Sequence, residues 1–545
     1  MLISHTGPFQ GETPLIDPRI SQAAAVSRNA YRRHGTLKAE RGPAPSGDLN
    51  GVSRPGNLYR YDAGNDGAGF WFTWDRGKDV DAVRSPIAND AHSRVYWTGD
   101  GAPKMGGIDI LTRGAGPYPS ASYQLGVPAP EGAPSAAQPD DRVRPDDEAI
   151  DWPPLTAVDT VYVVTCITNY GEESAPSTAS QMVTRWDAAD DLPEGGDVIV
   201  TLPDTPSSNN NITAMRLYRS ESGNEYQYVA DVPVGTKTYR DAVRSEELGL
   251  VLPSTEWDMP APEMRGLTDM GNGMLAGFYG NTVGFCVPYR PHAWPAAYEL
   301  AFSDPVVAIA TIPGGLVVLT TGQPSLVTGT DPAAMAQQRL DVQQSCVAKA
   351  SVVSMGGYAL YASPDGIVAA GGSEAKLVTG NVFSREQWAA LNPATMHCYR
   401  FDGRYYAFHD EGCIAFAPGD GIDSFDVQAE AGYYDDQRDV FYLIQDDRLV
   451  AWGEGERLAL RWRSPITQVA PGAGGFSCAK VIAAEYPVMM RLFADGQSVL
   501  ETQIESASMV RLPAGFALCR EWQTELETTG EIYAAHLATS ASELP

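Results

Sequence analysis

From Gly273 onward the chain repeats one pattern: a densely apolar run, a short polar turn, and a second apolar run. It occurs as GMLAGFYGNTVGFC from Gly273, GLVVLTTGQPSLVTG from Gly315, GYALYASPDGIVAAG from Gly357, GRYYAFHDEGCIAFA from Gly403 and DVFYLIQDDRLVAWG from Asp439. The starts are about 42, 42, 46 and 36 residues apart, and a sixth hairpin, Met489–Phe493 turning at Ala494-Asp495-Gly496, follows about one period later. A hairpin recurring at forty-odd residues is what a four-stranded propeller blade requires. The competing reading, a sandwich of plain hairpins, usually shows shorter spacing. The pattern therefore predicts a mainly β fold, a β-propeller of about six or more blades, over residues 245–545, with C-terminal strands following the repeats.

The preceding residues are less regular. In 1–126, Ser21–Ala30 (SQAAAVSRNA) combines a capping serine with three alanines and predicts a small N-terminal helix ended by Gly35. The Gly/Pro/Ser-rich stretch Arg41–Gly56 predicts a loop, and the aromatic runs Phe70–Trp74 and Arg94–Thr98 predict strands that contribute to the propeller or to a platform beside it. Residues 127–154, rich in proline and acid, read as a linker. Residues 155–244 then alternate as a small two-layer sandwich, in Val161–Ile167, Ala214–Arg219 and Tyr226–Ala230. One short helix interrupts the repeats at Phe383–Leu391, where Ser384 and Gln387 have capping-box spacing and Asn392-Pro393 is the stop; Trp388 is expected to pack beneath it.

Composition supports the β reading, since 54 Gly and 40 Pro in 545 residues imply many turns, while a 43% hydrophobic share suffices for large cores. A formal charge of −29 argues against a surface that grips nucleic acid by neutralising phosphates, although the same acidity would also simply keep a large protein soluble. The seven cysteines lack any C-x-x-C pair, and several sit within apolar runs. They read as buried thiols of a protein assembled in a reducing cytoplasm. No export signal is apparent at the start, and no apolar run approaches the roughly 18 residues of a membrane span.

Catalytic signatures are absent: there is no G-x-S-x-G, H-E-x-x-H or G-x-x-x-x-G-K-[ST]. Ser477-Cys478-Ala479-Lys480 fits S-x-x-K but opens an apolar strand and lacks partner motifs. The seven histidines are isolated from one another. Asp62–Gly67 and Asp420–Asp426 resemble fragments of a calcium loop without its full carboxylate spacing, and are expected to be solvated turns. Ser363-Pro364-Asp365-Gly366 lacks the rest of a sialidase Asp-box. A non-enzymatic protein is expected, with no catalytic residues, no cofactor and no metal site.

Two resemblances sharpen this. YVVTCITNYGEESAPS, within 155–244, resembles the end strand and turn of a fibronectin type III domain. Asp17-Pro18, Asn29, Gly35-Thr36-Leu37 and Arg41-Gly42-Pro43 in the leader, the phrase RVYWTGDGAPKM from Arg94, and the connectors Val287–Pro295 and Arg461–Ser464 are together similar to phage tail proteins, in architecture to the nozzle, or tail tubular B-type, proteins of short-tailed phages. That resemblance implies a virion protein assembled in the host bacterial cytoplasm. It implies a homo-oligomeric, hexameric ring below the head-to-tail adaptor, anchoring fibres or spikes and passing genomic DNA without specific binding. Another tail hub or fibre-attachment protein shares the same features. A secreted carbohydrate-binding or glycosidase propeller carrying a fibronectin module is the alternative from a different class, and it would carry an export signal and a polar, aromatic central pocket.

Overall fold

The computed structural model describes the chain except residues 33, 50, 51, 53, 63–68, 140–155, 188–196, 208, 209, 471–474 and 517. The five repeated hairpins are the middle strands of five consecutive antiparallel sheets, at 265–301, 306–339, 353–377, 397–425 and 431–451. Their apolar density has a simple cause: a middle strand of a blade is covered on both faces, so Gly315–Thr320 and Gly412–Phe416 are buried at every position. Each fully buried Val, Leu or Phe there contributes about 1.5–3 kcal/mol.

Two further sheets complete a circle. Blade 1 is the hairpin Pro55–Asp62/Gly69–Asp75, and blade 2 spans Asp81–Gln124; blades 3–7 are the five above. Seven apolar interfaces join them in turn. Trp74 and Phe72 of blade 1 meet Val95 and Trp97 of blade 2, which meets blade 3 through Tyr96 and Leu275. Phe278 then packs with Leu316, Leu319 with Tyr361, Leu360 with Tyr405 and Phe408 with Phe441. Ile444 of blade 7 returns to Trp71 of blade 1. Among the described residues the propeller therefore has seven blades. Blade 7 takes its outermost strand, Ala44–Pro45, from the leader, so the circle is tied by the pairing of Pro45 with Val450 and of Ala44 with Ala451.

The N-terminal helix expected at Ser21–Ala30 is not formed. Val26–Arg28 and Ala30–Tyr31 are strands, and Ala23, Ala24, Ser27 and Ala30 are buried by tertiary pairing that outweighs alanine's helix propensity. The sixth hairpin is likewise not a blade. Val488–Ala494 and Gln497–Ile504 belong, with Leu460–Arg463 and Glu521–Thr528, to one sheet of a separate sandwich. Its second sheet combines Cys478–Ala483 and Glu531–Ala538 with the leader strands Leu2–Thr6, Ala30–Tyr31 and Leu37–Ala39. Between the sheets lies a core that includes Leu37, Trp462, Met490, Trp522 and Leu526.

The leader strand Val26–Arg28 joins the two bodies. It pairs in parallel with blade 6 at Ser424 and antiparallel with Arg461–Arg463 of the sandwich, so one ten-stranded sheet runs from the innermost strand of blade 6 to the sandwich edge. Arg461–Ser464, expected as an inter-blade connector, is instead a strand of this junction.

Between blades 2 and 3 is inserted a second sandwich, a four-stranded sheet led by Thr156–Thr168 facing a three-stranded one. Its core includes Tyr162, Val164, Val200, Leu217 and Val232. Its boundary is earlier than expected. Ser135–Ala137, inside the predicted linker, pairs with Val198–Thr201, while most of the remaining linker lies outside the described residues. The helix at Arg385–Ala390 forms as its sequence dictates: Ser384 Oγ accepts from Gln387 N at 3.1 Å, Ser384 N donates to Gln387 Oε1 at 2.8 Å, and Trp388 is wholly buried.

Candidate functional site

The first strands of the blades surround the propeller axis and line a cavity of about 260 Å³. Its wall includes the small residues Gly266, Ala308, Ala350, Ala431 and Gly432. Its charged centre is Lys349, on a short 3-10 turn before blade 5. Lys349 Nζ lies 2.6 Å from Asp79 Oδ1 and 2.7 Å from Asp81 Oδ2, both at the entry to blade 2, and Asp81 also accepts from Gly266 N at 3.1 Å. These residues tie blades 2, 3 and 5 across the axis. Burial pushes the Asp81 carboxyl above its ordinary range despite Lys349; burial lowers the Lys349 ammonium, but the two carboxylates more than offset that and its net shift is upward. Gly99, in the YWTGDG phrase, permits this arrangement: its φ is +91°, and a Cβ there would sit 1.8 Å from the Asp79 carbonyl oxygen.

Further along the same strands the channel widens into a second cavity of about 860 Å³, sharing Val352 and Tyr399 with the first. Tyr59, Tyr399, Tyr433 and Tyr434 wall it, with Arg400, Asp402 and Asp436 at its rim. It ends at the turns that follow the first strands of blades 6 and 7, so it is one mouth of the channel.

A second charged centre lies at the junction of ring and sandwich. Asp423 is completely enclosed and accepts from Ser27 Oγ, from Arg32 Nε at 2.7 Å and Nη2 at 2.9 Å, and from Arg404 Nη2. Burial works to raise its carboxyl, but the two guanidiniums and these hydrogen bonds hold it below the ordinary range. The expected solvated turn at Asp420–Asp426 is thus a clamp, with Asp423 gripping the leader and Asp420 3.2 Å from Arg32. The inserted sandwich docks by similar means. Glu172, in the turn Asn169–Ser174, accepts from Arg94 Nη1 at 2.8 Å, and Tyr170 donates to Asp109 Oδ1 at 2.6 Å. Burial pushes the Glu172 carboxyl up, with Arg94 opposing.

The other residues singled out in the sequence stay apart. Ser477 Oγ donates to Thr539 O at 2.7 Å, while Lys480 reaches Pro545 O, so the S-x-x-K spacing assembles nothing. Ser363–Gly366 is the tight turn of blade 5. Asp62 binds Arg438 at 2.9 Å, and the rest of its acidic loop lies outside the described residues. Six of the seven cysteines are buried, Cys519 is half-buried, and all seven are free thiols. Among the described residues no group of three or more His, Cys, Asp or Glu is arranged to hold a metal, and no helix is long and apolar enough to cross a membrane.

By its sheet topology the chain is a mainly β propeller protein carrying two sandwich modules. No family model matches it, nor does any curated protein. Among solved structures it is similar to the Pan2 WD40 domain of Neurospora crassa, with 8% identity and a TM-score of 0.24 over 50% of this chain and 83% of that one. It is also similar to BamB of Moraxella catarrhalis, with 10% identity and a TM-score of 0.24 over 53% of this chain and 83% of that one. A third is YCF48 of Cyanidioschyzon merolae, with 12% identity and a TM-score of 0.21 over 42% of this chain and 78% of that one. Likeness at this level adds nothing to function.

Proposed function

We propose that the protein is a non-enzymatic structural subunit of a short phage tail, a nozzle component that oligomerises into a ring and lets DNA pass without holding it. The observation that carries this reading is where the tail-like leader phrases fall. Pro18 O accepts from Ile466 N at 2.9 Å. Asn29 Nδ2 donates to Asp426 Oδ2 at 2.9 Å, and Leu37 is wholly buried in the sandwich core. Gly42 N donates to Glu456 O at 2.9 Å. The leader residues that resemble tail proteins thus lie in the segment that ties the propeller to its C-terminal sandwich, as a rigid ring subunit needs.

In this reading the DNA path lies between subunits on the axis of the assembly. The propeller's own channel, tied across by Lys349, has room only for small molecules. A net charge of −29 suits a conduit, because carboxylates repel phosphate weakly and release no counterions to reward binding. The test is electron microscopy of the purified chain mixed with adaptor complexes, alongside duplex-DNA binding at low salt. A closed six-fold ring with no DNA affinity is expected. A chain that stays monomeric beside the adaptor, or one that grips duplex DNA, would refute the proposal.

A further inference from the structure

We propose that the tyrosine-walled mouth of the propeller channel is a binding site for a neutral oligosaccharide. This stands apart from the tail assignment and does not rest on it. At about 860 Å³ the cavity falls within the range of small-molecule sites. It is joined by a recess of about 160 Å³ that shares Tyr59, Tyr433 and Asp436 with it.

The aromatic wall is built rather than incidental. Tyr433 meets Tyr59 edge-on at 6.0 Å and is braced from behind by Trp71, also at 6.0 Å and perpendicular to it. Tyr399 is fixed through its hydroxyl, which accepts from Gly432 N at 2.7 Å and lies 3.1 Å from His397 Nδ1. Tyr434 donates to Asp439 Oδ1 at 2.8 Å. The rings of Tyr59, Tyr433 and Tyr434 remain half-exposed in these fixed positions. Facing them are short side chains, Ala82 and Ser354, which leave the cavity open. Rigid aromatic faces beside empty volume offer contact area without an ordering cost on binding.

The polar groups decide the class of ligand. Arg400 and Asp436 at the rim have no hydrogen-bond or ion-pair partner among the described residues, and both are exposed. Arg60 borders the recess with its guanidinium 5.0 Å from the Trp71 ring centroid. Its Nε is enclosed without a hydrogen-bond partner, the nearest carboxylate, Asp62 Oδ1, lying 3.6 Å away. A donor and an acceptor without protein partners among the described residues, Arg400 and Asp436, thus stand beside one aromatic wall. An ammonium ligand would face the guanidiniums and an anion the carboxylates, whereas an apolar ligand would displace water from the rim groups without replacing its hydrogen bonds. A ligand whose hydroxyls each donate and accept, and whose ring carbons offer a flat apolar face, satisfies all of them.

Full-length protein applied to an array of neutral, sulfated and sialylated oligosaccharides, with a trimethyllysine peptide as a further probe, tests this. The strongest neutral hit is then titrated by calorimetry. Binding to a neutral oligosaccharide is expected. It should weaken by about tenfold in Tyr433→Ala, as for loss of one aromatic contact, and measurably in Asp436→Asn. Asp436 is an exposed turn residue, so the second variant decides the matter if Tyr433→Ala fails to fold. No neutral hit at millimolar ligand, unchanged affinity in Asp436→Asn, or a preference for the anionic glycans or the trimethyllysine peptide would each overturn the proposal.

Discussion

Replacing Asp423 by Asn tests the joint between propeller and sandwich most directly. The carboxylate is fully enclosed and takes hydrogen bonds from Ser27, Arg32 and Arg404, two of them guanidiniums whose side chains are only 3% and 4% exposed. Asn keeps the shape but removes the charge and turns one acceptor into a donor aimed at other donors. Arg32 retains Phe9 O at 3.1 Å and Asp420 at 3.2 Å; among the described residues Arg404 retains only the hydrogen bond to Ala415 O at 3.1 Å, so Arg404 is the cation left without a hydrogen-bonded carboxylate. Leaving a buried charge uncompensated costs about 3–5 kcal/mol. At about 2 °C per kcal/mol for a large domain, the melting temperature should fall by about 6–10 °C. Scanning calorimetry measures this, and limited proteolysis should show earlier cleavage within residues 1–45 as the leader loosens. Adding Arg404→Met to Asp423→Asn should restore part of the loss, because it removes the orphaned cation. A single variant melting within about 1 °C of wild type, or a double variant with simply additive losses, would refute the reasoning.

Three further outcomes follow from the buried groups. His292, 5% exposed with neither ring nitrogen hydrogen-bonded, has its pKa lowered by burial to about 3. A folded value below the unfolded one means stability is complete above about 6.5 and is lost as pH falls toward 3. The urea midpoint of wild type should therefore drop more between pH 7 and pH 4 than that of His292→Phe, both pH values being approximate assay choices bracketing that window. Lys349→Met should destabilise by about 1–3 kcal/mol at neutral pH by stranding Asp81. Because the Asp81 carboxyl is already raised, its neutral form is the one the fold tolerates, so that loss should shrink as pH is lowered through the carboxylate range and grow as pH rises. Burial pushes the thiols of Cys166, Cys286, Cys346 and Cys398 up to about 12. A thiol reagent should label at most Cys519 in the native protein and all seven cysteines in urea.

Much of the ring was legible because a blade's middle strands are sealed on both faces and read as unbroken apolar runs. The edges were not. Ala336–Arg339, the outer strand of blade 4, is exposed at every residue and carries no hydrophobic signal. In the misread sixth hairpin Val488–Ala494 alternates buried and half-buried, the mark of a strand covered on one face, unlike the wholly buried Gly315–Thr320, yet in the sequence only Arg491 marks its open face. The leader's alanines favoured helix locally, but pairing of Val26–Arg28 with a strand hundreds of residues away and of Ala30–Tyr31 with Lys38–Ala39 overrode them. The charged centres were invisible for the same reason. Arg32 and Asp423 are 391 positions apart, and Asp79 and Lys349 are 270 apart, so no spacing rule joins them. The channel tyrosines, scattered from Tyr59 to Tyr434 over the first strands of three blades, read as ordinary strand aromatics until the circle closes.

The leader's long-range pairing also sets a timetable for synthesis. Apart from the short pairing of Ala30–Tyr31 with Leu37–Ala39, residues 26–45 leave the ribosome well before their strand partners, which run from Ser424 to Ile532. At about 5–20 residues per second the leader waits for roughly 25–100 s with its strand edges unpaired. Blades 2–6 are able to form in order as they emerge, each resting on the one before. Blade 7 lacks its fourth strand until Val450 and Ala451 meet Ala44 and Pro45, and the leader's sandwich strands stay unpaired until Glu531–Ala538 arrives. Completion of the fold thus comes in late steps, and a chain stalled before residue 531 keeps the edge of Leu37–Ala39 exposed for any passing strand edge to capture.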